Sequence, residues 1–137
     1  MGSIDLDPAS TKEANKVVGA AKFYTEEDDG LSKKWFGNVW LNPPYAKNKI
    51  GAFAQKHVES DVKSACVLVN NGTDTIWFQL IAQSASAICF PKGRTKFWHP
   101  GRKSQPLQGQ AVLYIGRKPV AFCKAFKDFG FYTVVVK

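Results

Sequence analysis

The amino-acid sequence predicts an α/β domain, and three observations carry that reading. Apolar runs of strand length, NVWL (38–41), SACVLVN (64–70) and AICF (87–90), are continuous rather than alternating, as strands buried on both faces are. Stretches of helical composition lie between them, which supplies the crossovers that parallel strands need. At 137 residues and 45% hydrophobic composition, the chain suits one domain with a sizeable core, so residues 1–137 are read as a single unit.

The elements follow in order along the chain. IDL (4–6) is a short strand, and TKEANKVVGAAKFY (11–24) after it reads as a helix with Ser10 or Thr11 as its N-cap. TEEDDGL then turns the chain into the strand NVWL. IGAFAQKHVES (50–60) is a helix with Ile50, Phe53, Ala54 and His57 or Val58 along one face, and SACVLVN is the next buried strand. TDTIWFQLIAQSA (73–85) makes another helix, capped by Thr73 or Asp74, before the strand AICF. RTKFWH and the polar loop HPGRKSQPLQGQ lead to the strand AVLYIG (111–116), and the tail FYTVVVK has strong strand character.

Composition narrows the function. No apolar run approaches the ~20 residues that cross a bilayer, and MGSIDLDPAS lacks the charged and apolar regions of a signal peptide, so a soluble, cytoplasmic protein is expected. Cys66, Cys89 and Cys123 are odd in number and widely spaced, two of them inside apolar runs, which predicts small buried residues rather than disulfides or a metal site. The formal charge of +8, concentrated in PKGRTKFWHPGRK, points to an anionic partner, nucleic acid first.

In an open α/β sheet, ligands gather beyond the carboxyl ends of the strands. Three segments fall there: DLDPAS, NPPY and NNGTDT. Asp5 and Asp7 are two apart and share one side of a strand. In NPPY, proline fixes φ and removes an N–H, so Asn42 is held extended and Pro43 is restrained by Pro44. Such a stiff loop fixes two acceptors, the Asn42 side-chain oxygen and the Pro43 carbonyl, near one point. Two acceptors can hold both hydrogens of an amino group whose lone pair is delocalised into a ring, and pyramidalising that nitrogen frees the lone pair for attack. Tyr45 adds a flat surface on which an extruded base can stack, a contact worth ~1–3 kcal/mol.

Asn42-Pro43-Pro44-Tyr45 resembles the catalytic motif of S-adenosylmethionine-dependent amino-methyltransferases. The series DLDPAS, NKVVGAAKFYT, DDGLSKKW, VWLNPPY, TDTIWF and KGRTKFW, in that order from about Asp5 to about Tyr114, resembles the phage-type DNA adenine methyltransferases. The resemblance implies a Rossmann-like methyltransferase sheet, mostly parallel with an antiparallel C-terminal strand, here minimal or N-terminally shortened because the family's upstream Trp-x-Thr-Pro segment is not seen. It implies methyl transfer from S-adenosylmethionine, without a metal, to the exocyclic N6 of adenine in flipped-out DNA, in a phage-infected or lysogenic bacterial host. By the same resemblance Asn42, Pro43, Pro44 and Tyr45 are catalytic, and Asp5, Asp7, Pro8, Ala9, Asp29, Gly30 and Leu31 bind the cofactor.

The basic residues Arg94, Lys96, Arg102 and Lys103, interleaved with Phe97, Trp98 and His99, are assigned to the DNA phosphates. RNA or a protein glutamine as acceptor, and a non-catalytic nucleic-acid-binding remnant, remain as alternatives. Each segment also has a plain structural use. Asp5 and Asp7 suit a helix cap, Asp28 and Asp29 suit a turn before Gly30, Trp77 and Phe78 suit a helix's core face, and the basic stretch suits a solvated surface.

Overall fold

The structure, a computed structural model, describes residues 2–93 and 109–137. Its elements are β1 (Leu6–Asp7), α1 (Lys12–Val18), β2 (Lys22–Phe23), β3 (Asn38–Leu41), α2 (Lys49–Glu59), β4 (Ser64–Asn70), α3 (Ile76–Ser84), β5 (Ala87–Pro91), β6 (Gln110–Ile115), α4 (Pro119–Phe126) and β7 (Gly130–Val134). They form a mixed α/β fold around one sheet of seven strands in the order β2-β1-β3-β4-β6-β5-β7.

The pairings of β1 with β2, β1 with β3 and β3 with β4 are parallel, whereas those of β4 with β6, β5 with β6 and β5 with β7 are antiparallel. The expectation of a mostly parallel sheet with one antiparallel strand at the end is therefore corrected: half the pairings are antiparallel. Strands β1 to β5 still run one way. Reversed β6 is inserted between β4 and β5, and reversed β7 forms the edge.

The sheet buries both faces by alternation. On one face Val39, Leu41, Ala65, Val67, Val69, Ile88 and Leu113 meet Ile50, Phe53 and Ala54 of α2 and Phe78 and Ile81 of α3. On the other, Cys66, Cys89, Val112 and Tyr114 meet Phe122 and Cys123 of α4. All three cysteines are buried and free, as their apolar neighbours predict, and burial pushes the Cys66 thiol up to about 11.

The helix expected over 11–24 is shorter in the fold. It is capped by Thr11, whose hydroxyl accepts from Ala14 N–H at 3.0 Å, and stops where Gly19 takes φ 71°. Asn15 then grips Ala20 by two bonds, accepting from its N–H at 2.9 Å and donating to its carbonyl at 3.1 Å, which turns Lys22–Phe23 into a strand beside β1. Helix α3 starts later than expected, because Thr75 is the N-cap and accepts from Phe78 N–H at 3.2 Å. Helix α4 has no counterpart in the sequence reading. Its PVAFCKAF is apolar on more than one side and lacks a polar N-cap, although Pro119 stands at its first turn.

Candidate active site

Strands β1, β3 and β4 are adjacent and parallel, so the loops leaving their carboxyl ends lie along one edge of the sheet. The exits are DPA, which starts on the last residue of β1, NPPY after β3, and NNGT, which starts on the last residue of β4.

At the β1 exit Asp7 is 3% exposed, and its Oδ1 accepts from Ala9 N–H at 3.2 Å. Burial raises its pKa to about 6, against the opposing pull of the Ala9 N–H and the Ser10 hydroxyl. Pro8 is fully buried, and Gly30 lies against its carbonyl so closely that any side chain on Gly30 would strike it. That contact brings the DGL turn to the DPA exit. Trp35, buried, fastens the turn by donating from Nε1 to the Gly30 carbonyl at 2.9 Å.

The two turn aspartates divide their work. Asp28 accepts from Thr25 N–H at 2.9 Å and Thr25 Oγ1 at 3.1 Å, which holds its carboxyl below the usual range. Asp29 takes the left-handed φ of 55°, is exposed, and makes no side-chain hydrogen bond among the described residues. Leu31 is half-buried against the core. Asp5 is placed differently from Asp7. Its Oδ2 accepts from Asn38 N–H at 2.8 Å, at the amino end of β3.

In the β3 exit Asn42 is half-buried, Pro43 buried and Pro44 exposed. Among the described residues neither the Asn42 carboxamide nor the Pro43 carbonyl is consumed by a hydrogen bond. Tyr45 is 37% exposed, its hydroxyl accepting from Asn70 N–H at 2.7 Å and its ring meeting Trp77 edge-on at 5.8 Å. Burial raises its pKa, against the pull of the Asn70 N–H.

Directly beyond, Lys47 and Asn48 both take left-handed φ, 55° and 59°. With Asp29 they complete the non-glycine residues with positive φ among the described residues, and all three flank these loops. Backbone strain of this kind collects at functional sites.

Sequence reasoning treated Trp77 as core and gave Asn70 no role. The signal was the TDTIWF segment, which names the residue without telling which way its ring turns. Arg94, Lys96, Arg102 and Lys103 lie outside the described residues. A separate apolar cavity of about 270 Å³, lined by residues including Trp40, Tyr114 and Phe122, lies toward α4 and contains none of the loop residues above.

Comparison with known proteins identifies the family. The chain is 38% identical over 92 residues to the DNA N-6-adenine-methyltransferase of Escherichia phage T1, an alignment that covers 64% of this chain and 36% of that protein. The chain thus spans about a third of the length of the curated relative it matches. A crystal structure of Thermoplasma acidophilum 1320 overlaps 78% of this chain and 62% of its own, with a TM-score of 0.44 and 12% identity. The sequence profile of the DNA N-6-adenine-methyltransferase (Dam) family matches residues 1–125, and the chain belongs to that family.

Proposed function

We propose that this protein transfers a methyl group from S-adenosylmethionine to the N6 amino group of adenine in DNA. The observation that carries the reading is the pair of free acceptors in NPPY, on the same sheet edge as buried Asp7, in a chain of this family. Five strands running one way with β6 reversed inside the sheet support the Rossmann-like methyltransferase arrangement.

The residues at the β1 exit fit the donor. Asp7 keeps a carboxylate with spare lone pairs for ribose hydroxyls or the donor's cationic end; Pro8, Ala9, Gly30 and Leu31 are assigned to the same pocket because Gly30 packs on Pro8, and Asp29 offers a second free carboxylate. Asp5 acts from behind, by holding β3 in register with β1. S-adenosylmethionine supplies the methyl group when bound. The chain's own part is to hold the acceptor: Asn42 Oδ1 and the Pro43 carbonyl each accept one hydrogen of the adenine amino group. That geometry draws the nitrogen toward a pyramidal form and returns its lone pair for attack. Formation of the new C–N bond would break the methyl–sulfur bond of the donor, leaving S-adenosylhomocysteine, and the nitrogen would shed one hydrogen as a proton to solvent.

The amino group of an adenine paired in a duplex cannot reach half-buried Asn42 and buried Pro43, so the base is flipped out and stacked on Tyr45. Arg94, Lys96, Arg102 and Lys103 hold the phosphates, in keeping with the net charge of +8.

The test is incubation of the protein with labelled S-adenosylmethionine and duplex DNA, single-stranded DNA, RNA or a glutamine-containing protein. Label is expected in DNA, on adenine N6. Asn42→Ala should lower transfer by ~100- to 1,000-fold, since one preorganised polar group is worth ~2.7–4 kcal/mol of barrier, with donor binding little changed. Label in RNA or protein alone, or donor binding without transfer to anything, would replace this reading with one of the alternatives.

A further inference from the structure

We propose that Trp77 is a positioning residue that, with the Asn70 backbone N–H, sets the plane of the Tyr45 ring. The inference rests on the reading of NPPY as the loop that receives the base. Tyr45 leaves the sheet in an exposed loop, yet it is held at two points. Its hydroxyl accepts from Asn70 N–H at 2.7 Å, and its ring lies 5.8 Å from that of Trp77 at an interplanar angle of 71°. One contact at the end of the side chain and one on the ring together define both the position of the phenol and its rotation. The ring remains 37% exposed, which leaves a surface for a base.

Both anchors are themselves braced. Trp77 is half-buried at the start of α3, where its ring meets Phe78 edge-on at 5.9 Å and 63°, and Phe78 belongs to the core. Gly72 makes room for it, because a Cβ there would stand 3.3 Å from Trp77 Cζ2. On the other side Gln110 Nε2 donates to Asn70 Oδ1 at 2.6 Å, and Asn71 N–H donates to the Gly109 carbonyl at 2.9 Å. The NNG stretch after β4 and the TDTIWF segment are thereby given a shared purpose that neither has as a plain loop or core helix. A T-shaped contact suits it, since it fixes a ring and still leaves at least one of its faces open to a base.

The hydroxyl acquires a role as well. Stacking alone needs only the ring, but Tyr45→Phe would remove the acceptor at one anchor and leave the Asn70 N–H without it.

The experiment labels the four tyrosines with 3-fluorotyrosine and assigns the Tyr45 fluorine resonance by its loss in Tyr45→Phe. Trp77→Ala should move that resonance and Trp77→Phe should return it toward the parent position. An unmoved resonance in Trp77→Ala overturns the proposal, whatever the enzyme's activity.

In steady-state assays Trp77→Ala should lower kcat by about ten- to a hundredfold, the cost of a misplaced reacting group, with the donor's Kd unchanged and Trp77→Phe largely restored. Adding Trp77→Ala to Tyr45→Ala should cost nothing further, because the residue acts through Tyr45. Additive losses would mean that Trp77 serves the core or the substrate independently. Absence of methyl transfer in the unmodified protein would instead overturn the reading of the site, and the fluorine result would still decide whether Trp77 sets the ring.

Discussion

Asp7 combines two demands that pull in opposite directions. The folded protein buries its carboxylate, so its pKa rises from 3.8 to about 6. Between those values the native state holds a proton that the unfolded chain has released, so stability falls as pH rises through the window. A shift of this size corresponds to roughly 3 kcal/mol lost by pH 7. In the proposed reading the donor is what makes use of a carboxylate kept at that cost. Asp7→Asn is therefore expected to raise the melting temperature at pH 7 and to change it little near pH 4, while weakening the binding of S-adenosylhomocysteine measured by calorimetry. The parent protein should bind that ligand more tightly at pH 7 than at pH 5, a dependence that Asp7→Asn removes. An equal gain in melting temperature at both pH values would show that burial of the charge is not the cause.

At the scale of elements, the proposed donor side of the site depends on a contact between two turns. DPA and DGL are separated in sequence by α1 and β2, and they meet because Gly30 has no side chain where it faces the Pro8 carbonyl. That contact is with backbone, which cannot swing aside. Gly30→Ala should cost about 1–3 kcal/mol in urea denaturation, the usual range for overpacking, and should weaken donor binding in parallel. Trp35 would remain bonded to the carbonyl of residue 30, so the loss should be local to the meeting of the turns. Undiminished stability in Gly30→Ala would mean that the turns part without cost, and that the DGL segment is not fixed against the donor site.

For the whole molecule, acid response sets Asp7 against His57. His57 is buried on α2, and its two ring nitrogens have no hydrogen-bond partner among the described residues. Burial lowers its pKa from 6.5 to about 4. The unfolded chain takes up a proton in that interval and the folded one does not, so His57 removes stability as pH falls from 6.5 to 4. Asp7 adds stability as pH falls from about 6 to 3.8. The two terms oppose each other over nearly the same range. In chemical denaturation His57→Leu should give a protein that gains stability between pH 6 and 4, whereas Asp7→Asn should give one that loses it more steeply than the parent. Identical pH slopes in all three proteins would mean that neither group titrates differently on folding.

The sequence by itself determined the alternation of strands and helices and the alignment of DPA, NPPY and NNGT on one edge. Those follow from continuous apolar runs, whose burial is dictated locally, and from the direction of parallel strands. Proline chemistry likewise made the rigidity of Asn42 and Pro43 legible, because φ is fixed by the residue itself.

Tertiary structure decided the rest. Lys22–Phe23 has helical composition around it and became a strand because Gly19 and Asn15 ended α1 and β1 offered a partner. The insertion of β6 between β4 and β5 depends on pairings between distant segments, which no local pattern encodes. Asp5 and Asp7 read as an equal pair until the fold gave one to Asn38 and the other to the rim. Trp77 has the periodicity of a core residue. Its place beside Tyr45 arises from the packing of α3 against the exit of β3, since the direction of an aromatic ring is set by its neighbours in space and not by its spacing along the chain.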